Sequence, residues 1–169
     1  MFNPLNLLSK IIKSSNQREL DRVQKIVTQI NNLENNIIKL SDGDFPKKTE
    51  EFIKKINEGV SLNEILPEAY ALVREASKRI INERHFDCQI LGSVVIHEGK
   101  ICEAKTGEGK TNMIVCAAYL NALSKKGVHV VTVNDYLAKR DCQNMGKIYN
   151  FLGLTTGYIN NDQSDEERK

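Results

Sequence analysis

The stretch between positions 104 and 111 constrains the fold of this chain more than any other part of its sequence. It reads Ala-Lys-Thr-Gly-Glu-Gly-Lys-Thr, the pattern of a phosphate-binding loop with Ala104 in place of the usual first glycine. Gly107 and Gly109 permit backbone conformations and close approaches that a Cβ would block. Successive N–H groups can then point into one concavity that holds phosphate oxygens.

Two side chains at the end of this loop supply further chemistry. We expect Lys110 to place a mobile positive charge on the β- and γ-phosphates and Thr111 to offer its hydroxyl to Mg²⁺. Thr111 also stands where a helix is predicted to begin, so the positive end of the helix dipole adds to the site. The alternative is a chance match in an ordinary glycine turn. The predicted ATP-binding residues of the loop are Gly107, Glu108, Gly109, Lys110 and Thr111.

The sequence around the loop predicts an α/β fold. A short apolar piece, residues 101–104, precedes the loop, and a helical run, residues 111–125, follows it. Residues 128–133 are almost all β-branched and apolar, as in a buried parallel strand. A further helix to about residue 152 and a strand at 154–159 continue the alternation. The expected fold is therefore a parallel sheet of the RecA- and helicase-like P-loop NTPase class, here truncated.

The amino-terminal half predicts helices. Apolar residues recur at three- and four-residue spacings over residues 19–40 and 62–82, and a shorter helix is expected at 49–58. Residues 85–99 join these helices to the loop. The expected organisation is an amphipathic helix at 1–15, a helical region at 16–84, and an incomplete nucleotide-binding domain at 85–169.

The first fifteen residues form a basic amphipathic pattern. Such a helix can lie on an anionic bilayer or dock in the groove of a partner, and the alternative is packing on its own domain. Its apolar face and its lysines are Leu5, Leu8, Ile11, Ile12, Lys10 and Lys13.

Composition narrows the function classes. Of 169 residues, 40% are hydrophobic and 27% charged, which is typical of a globular protein and not of a membrane-spanning or disordered one. A net charge of +2 is too small to indicate nucleic-acid binding by itself. The four cysteines form no CxxC pair, which favours a reduced, cytosolic setting.

A second acidic site is missing from the sequence after Thr111. A P-loop ATPase needs an apolar strand ending in Asp, usually followed by Glu, to order Mg²⁺ and activate water. The chain is therefore expected to be the first part of a larger motor, with its catalytic acid outside these residues.

Several segments together resemble a known family. The chain resembles the amino-terminal part of SecA, the ATPase motor of bacterial preprotein translocation. The match covers nearly the whole chain and is much more specific than the phosphate loop alone. The segments that carry it are residues 66–79, 84–92 (Arg-His-Phe-Asp-Cys-Gln-Ile-Leu-Gly), 105–111, 118–123, 126–138 and 151–155.

The resemblance implies a site and a setting. Gln89 would pair with the N7 and N6 groups of adenine, because an amide offers one donor and one acceptor. Phe86, Asp135 and Arg140 are further candidate contacts, with core packing, helix capping and surface pairing as their alternatives. ATP and Mg²⁺ are the implied cofactors. The implied partners are the SecYEG channel, preproteins, an anionic membrane surface and, in the full-length protein, a second copy, without nucleic acid. The implied location is cytoplasmic and peripheral to the inner membrane.

The sequence departs from the family pattern near the loop. Glu83 stands where the family usually has Met, and Asn112 and Met113 stand where small or aliphatic residues are usual. Two other readings stay open: a helicase-like P-loop ATPase acting on RNA or DNA, and a non-catalytic nucleotide-binding or docking fragment.

Overall fold

The computed structural model describes residues 14–164 and 166–168 of the chain. The amphipathic helix predicted for residues 1–15 lies almost entirely outside them. No helix among the described residues is long and apolar enough to cross a membrane. The described helices are α1 (Ser15–Ile37), α2 (Asp44–Asn57), α3 (Leu62–Ile81), α4 (Asp87–His97), α5 (Lys110–Ala122) and α6 (Asp135–Phe151).

Side-chain caps define where several helices begin. The Ser14 hydroxyl accepts a hydrogen bond from the Gln17 N–H at 3.1 Å, at the start of α1. Ser61 and Glu64 form a reciprocal capping box at the start of α3. Since the first N–H groups of a helix have no acceptor within it, such caps stabilise a helix by about 1 kcal/mol each.

Helix α3 lies at the centre of the core and packs against α1, α2, α5 and α6. Its Tyr70 and Leu72 are fully buried, and burying side chains of this size contributes roughly 1.5–3 kcal/mol each. Phe45 of α2 and Phe151 of α6 close one end of the core with ring centroids 4.8 Å apart. The helical region and the residues after it therefore share one core.

The predicted parallel sheet is wrong for the residues that the structure describes. They contain no strand: residues 101–104 and 128–133 form irregular backbone between helices, and residues 154–159 form irregular backbone after α6. Val131 and Val133 are 90% and 88% exposed. A strand exists only when a neighbouring strand satisfies its N–H and C=O groups. β-branched composition shows that a segment suits a sheet surface, but it does not supply that neighbour.

The helix predictions are confirmed, with shifted ends. The first helix occupies Ser15–Ile37, where the periodicity predicted 19–40, and α3 ends one residue before the predicted limit. Helix α4 was not predicted, since its apolar residues surround the helix and leave no polar face. This helix places Gln89 beside the phosphate loop.

Candidate phosphate-binding site

The phosphate loop connects the end of α4 to the start of α5. Gly107 has φ 88°, and Gly109, the N-cap of α5, has φ 80° and ψ 48°. Both angles lie in the left-handed region, which costs residues other than glycine about 1–2 kcal/mol. The loop thus uses its two glycines for the conformational freedom that the motif requires.

Gln89 of α4 holds the loop through its side-chain amide. Its Nε2 donates to the Glu108 carbonyl at 3.1 Å, and its Oε1 accepts from the Phe86 N–H at 3.0 Å. A Cβ on Gly109 would overlap the Gln89 amide nitrogen. Gly109 is therefore required for space as well as for its backbone angle, and both polar groups of Gln89 are bonded within the chain.

A backbone N–H of the loop already bonds the carboxylate of a loop side chain. The Lys105 N–H donates to Glu108 Oε2 at 2.7 Å, while the Glu108 N–H donates to the Lys105 carbonyl at 3.3 Å. The first intrahelical bond of α5 runs from the Met113 N–H to the Gly109 carbonyl. The N–H groups at the start of α5 and the helix dipole therefore favour an anion at this position. This donor set fits phosphate oxygens.

Lys110 and Thr111 lie on the first turn of α5 and border different cavities. Lys110 is exposed at the mouth of a small cavity of about 160 Å³ beside Cys102 and Met113. Thr111 is half-buried and borders a groove of about 690 Å³ between α5 and α6. Thr111 is the residue to which the sequence assigns Mg²⁺, and that assignment stays a prediction.

The other candidate residues make separate contacts. Phe86 is the N-cap of α4, and its ring is largely exposed. Asp135 borders the same groove as Thr111, and its Oδ2 accepts from the Asn161 N–H at 3.0 Å. Arg140 pairs with its neighbour Asp141 at 2.7 Å. The structure thus brings Gln89 to the loop, whereas Asp135 bonds a backbone N–H 26 positions away and Arg140 pairs with the residue next to it.

His85 is a contact of the site that the sequence reasoning missed. Its buried ring lies 3.1 Å from the Asn112 carbonyl through Nε2. Burial, reinforced by the nearby positive charge of Arg74, lowers the pKa of His85 to about 4. The ring is therefore neutral at pH 7, and its Nε2–H must be the donor, because a carbonyl only accepts. Nothing in the spacing of a single histidine indicates such a contact.

A buried ionic network attaches the segment before α4 to the helical region. Arg74 of α3 is 1% exposed and donates to Asp87 Oδ1 at 2.8 Å and to Glu34 of α1. Arg84 contacts the same Glu34 carboxylate at 2.7 and 2.9 Å. Hydrogen bonds from Asn31 and Arg74 outweigh partial burial and lower the pKa of Asp87. Charged groups held in this way fix the backbone of residues 84–87 against α1 and α3.

Comparison with known proteins places this sequence in a family. The SecA DEAD-like domain model matches residues 8–169. The chain is 67% identical, over its whole length, to the protein translocase subunit SecA of Pelagibacter ubique, of which it covers 20%. It is 56% identical over 97% of its length to that of Nitrosococcus oceani, covering 18% of it. It is 51% identical over 98% of its length to that of Clostridium botulinum, covering 20% of it.

The chain thus spans about a fifth of the length of the curated relatives that it matches. The family match extends over the helical region and the phosphate loop alike. This chain belongs to the SecA DEAD-like domain family.

Proposed function

We propose that this chain is the amino-terminal part of a SecA motor, which couples ATP binding and hydrolysis to the movement of preproteins through the SecYEG channel. The observation that carries the proposal is left-handed Gly109 at the N-cap of α5, directly before Lys110, in a member of this family. The relatives' name, protein translocase subunit, supports the same activity.

The residues of the loop have distinct roles in this proposal. The N–H groups around Gly107 and Gly109 bind phosphate oxygens, and Lys110 neutralises their charge. Thr111 would hold Mg²⁺ through its hydroxyl, and the metal, when bound, stabilises charge on the β- and γ-phosphates. The incoming phosphate displaces the Glu108 carboxylate from the Lys105 N–H, because both anions need the same donor.

Gln89 is proposed to recognise adenine. Its amide now bonds the Phe86 N–H and the Glu108 carbonyl, so base recognition exchanges at least one of these bonds for one to the base. Phe86 lies next to Gln89 with its ring 68% exposed, which leaves a face on which a base can stack. Asp135 and Arg140 are assigned to the same nucleotide only through the family motif.

The proposal extends to the partners and location of the longer protein. SecYEG and preproteins are the partners, a second copy of the protein is a further one, and the basic pattern of residues 1–15 would bind anionic lipids. These interactions place the protein in the cytoplasm, at the surface of the inner membrane.

The proposal is tested first by ATP binding to the full 169-residue chain. We expect Lys110→Ala to weaken ATP binding at least tenfold, because it removes a charged contact to phosphate worth about 1.5–3 kcal/mol. The urea midpoint should not change, since Lys110 is exposed. The matched control is Lys54→Ala, an exposed lysine 3.9 Å from Glu58. Equal ATP affinity in the Lys110 and Lys54 variants would refute the assignment of the loop.

Two further measurements test the finer assignments. Gln89→Ala should reduce discrimination between ATP and GTP more than it reduces phosphate binding, and unchanged discrimination would contradict the adenine role. Steady-state phosphate release by the chain alone should stay far below the rate of a complete translocase, because the sequence after Thr111 contains no apolar segment ending in an acid that could activate water. Motor-like turnover that Lys110→Ala abolishes would show that the chain holds a complete catalytic site.

A further inference from the structure

Two side chains that flank the phosphate loop bond each other. Asn112, the third residue of α5, donates through Nδ2 to Glu83 Oε2 at 3.0 Å. Glu83 belongs to the short connection between α3 and α4, 29 positions earlier in the chain. The structure thus joins the first turn of α5 to the segment that follows α3 through two side chains.

Glu83 and the residue after it are both held by the helical region. The Ser77 hydroxyl of α3 donates to the Glu83 carbonyl at 2.6 Å. Its neighbour Arg84 pairs with Glu34 of α1 at 2.7 Å. A side chain on such a backbone loses less conformational entropy when it forms a hydrogen bond than one on a mobile loop. The bond from Asn112 is therefore made to an anchored acceptor.

The same segment also holds Asn112 by its main chain. The His85 ring donates to the Asn112 carbonyl at 3.1 Å, while Glu83 accepts from the Asn112 side chain. Asn112 follows Lys110 and Thr111 directly. The carbonyl and the side chain of Asn112 are thus both bonded to the segment that follows α3, and these two bonds hold the first turn of α5 against that segment.

We propose that Glu83 is a positioning residue for the phosphate loop: through Asn112 it orients the first turn of α5, and with it Lys110 and the phosphate-binding N–H groups. This inference rests on the proposed nucleotide-binding function. The charge of Glu83 by itself disfavours phosphate, because like charges repel. The favourable contribution of Glu83 to phosphate binding acts only through its hydrogen bond with Asn112. Substitutions can therefore separate the effect of the Glu83 charge from the effect of this bond.

Four variants of the full chain separate these effects. Glu83→Gln removes the charge but keeps an oxygen that accepts from Asn112. Asn112→Asp places two carboxylates opposite each other and breaks the contact. The double variant E83Q/N112D restores a bond, because the amide introduced at position 83 can donate to the carboxylate introduced at position 112, and it has the net charge of the wild type. Glu83→Ala removes both charge and contact.

ATP binding by these variants distinguishes positioning from simple charge repulsion. Two independent charges would have multiplicative effects on the dissociation constant. Positioning instead predicts that N112D weakens ATP binding about fivefold more in the wild-type background than in the E83Q background. Effects of N112D that are equal in both backgrounds would overturn the inference.

Amide hydrogen exchange without nucleotide supplies a readout that does not depend on ligand binding. The Met113 N–H donates to the Gly109 carbonyl at 3.2 Å, so its exchange rate reports the first turn of α5. We expect faster exchange at Met113 in E83A and N112D, wild-type exchange in E83Q and E83Q/N112D, and no change in α6. Unchanged exchange in N112D would overturn the inference. If the wild-type chain bound no ATP, the proposed function would fail while this measurement still decided the positioning role.

Discussion

Substituting alanine for each loop glycine tests the geometry of the phosphate loop most directly. Gly107 and Gly109 both have left-handed backbone, with φ 88° and 80°. An added Cβ at Gly107 meets no atom within 4 Å, whereas one at Gly109 overlaps the Gln89 amide. The two substitutions therefore share the backbone strain and differ in the displacement of one side chain.

The structure sets the magnitude of each effect. Left-handed alanine costs about 1–2 kcal/mol, so Gly107→Ala should lower the free energy of unfolding by that amount. Gly109→Ala carries the same strain and also moves Gln89, which breaks its bonds to the Glu108 carbonyl and the Phe86 N–H. At about 0.5–1.5 kcal/mol for each lost bond, the total for Gly109→Ala is about 2–5 kcal/mol.

Urea unfolding of the single and double variants measures this difference. In a Gln89→Ala background the obstacle is absent, and Gly109→Ala should then cost no more than Gly107→Ala does in the wild type. The effects of Gly109→Ala and Gln89→Ala on the free energy of unfolding should thus be non-additive. The deviation should equal the amount by which Gly109→Ala costs more than Gly107→Ala in the wild type. Equal losses for Gly107→Ala and Gly109→Ala, or strict additivity with Gln89→Ala, would refute the argument that Gln89 occupies the space beside Gly109.

Two further predictions concern the buried polar groups behind the loop. Arg74→Met should lower the free energy of unfolding by about 3 kcal/mol in urea titrations. This is the low end for breaking a buried ion pair, because the partner Asp87 is half-exposed. Arg22→Met, which breaks the exposed ion pair with Glu19, should cost less than about 1 kcal/mol, and equal losses in the two variants would contradict this. Folding lowers the pKa of His85 from 6.5 to about 4. The proton therefore binds His85 more strongly in the unfolded chain than in the folded one, and the folded state loses stability as the pH falls from 6.5 to 4. The His85 contribution to this loss should reach about 2 kcal/mol at pH 5. The variant His85→Gln should lose about that much less stability than the wild type, while His97, whose pKa burial also lowers, still contributes in both. A wild type and a variant with the same slope between pH 7 and 5 would refute the assignment.

Helices were predictable from this sequence because their signals are local. The apolar spacing of α3 and its capping box at Ser61 and Glu64 lie within a few residues of each other. The predicted sheet was wrong, because a strand depends on a partner distant in sequence and the composition of one segment does not report that partner. Residues 128–133 have strand composition, yet they stay unpaired in the structure.

The features of the site were likewise predictable where they depend on neighbouring residues and not where they depend on distant ones. The left-handed glycines and the start of α5 follow from the motif itself, since loop and helix are adjacent in sequence. The contacts of His85 and Glu83 with Asn112 join residues 27 and 29 positions apart. These contacts form because tertiary packing brings the segment before α4 against the first turn of α5. A single sequence has no local pattern that reports this packing.

The geometry of the phosphate loop therefore depends on the helical side of the molecule. Gln89 holds the loop carbonyl, and His85 and Glu83 hold the first turn of α5. These residues are attached to α1 and α3 through the ionic network of Arg74 and Glu34. None of these bonds involves residues 128–133 or 154–159. The left-handed glycines and the first turn of α5 are thus formed without any strand in the described residues. An ATP-binding measurement on this chain therefore tests whether the helical contacts alone hold the loop in a form that binds phosphate.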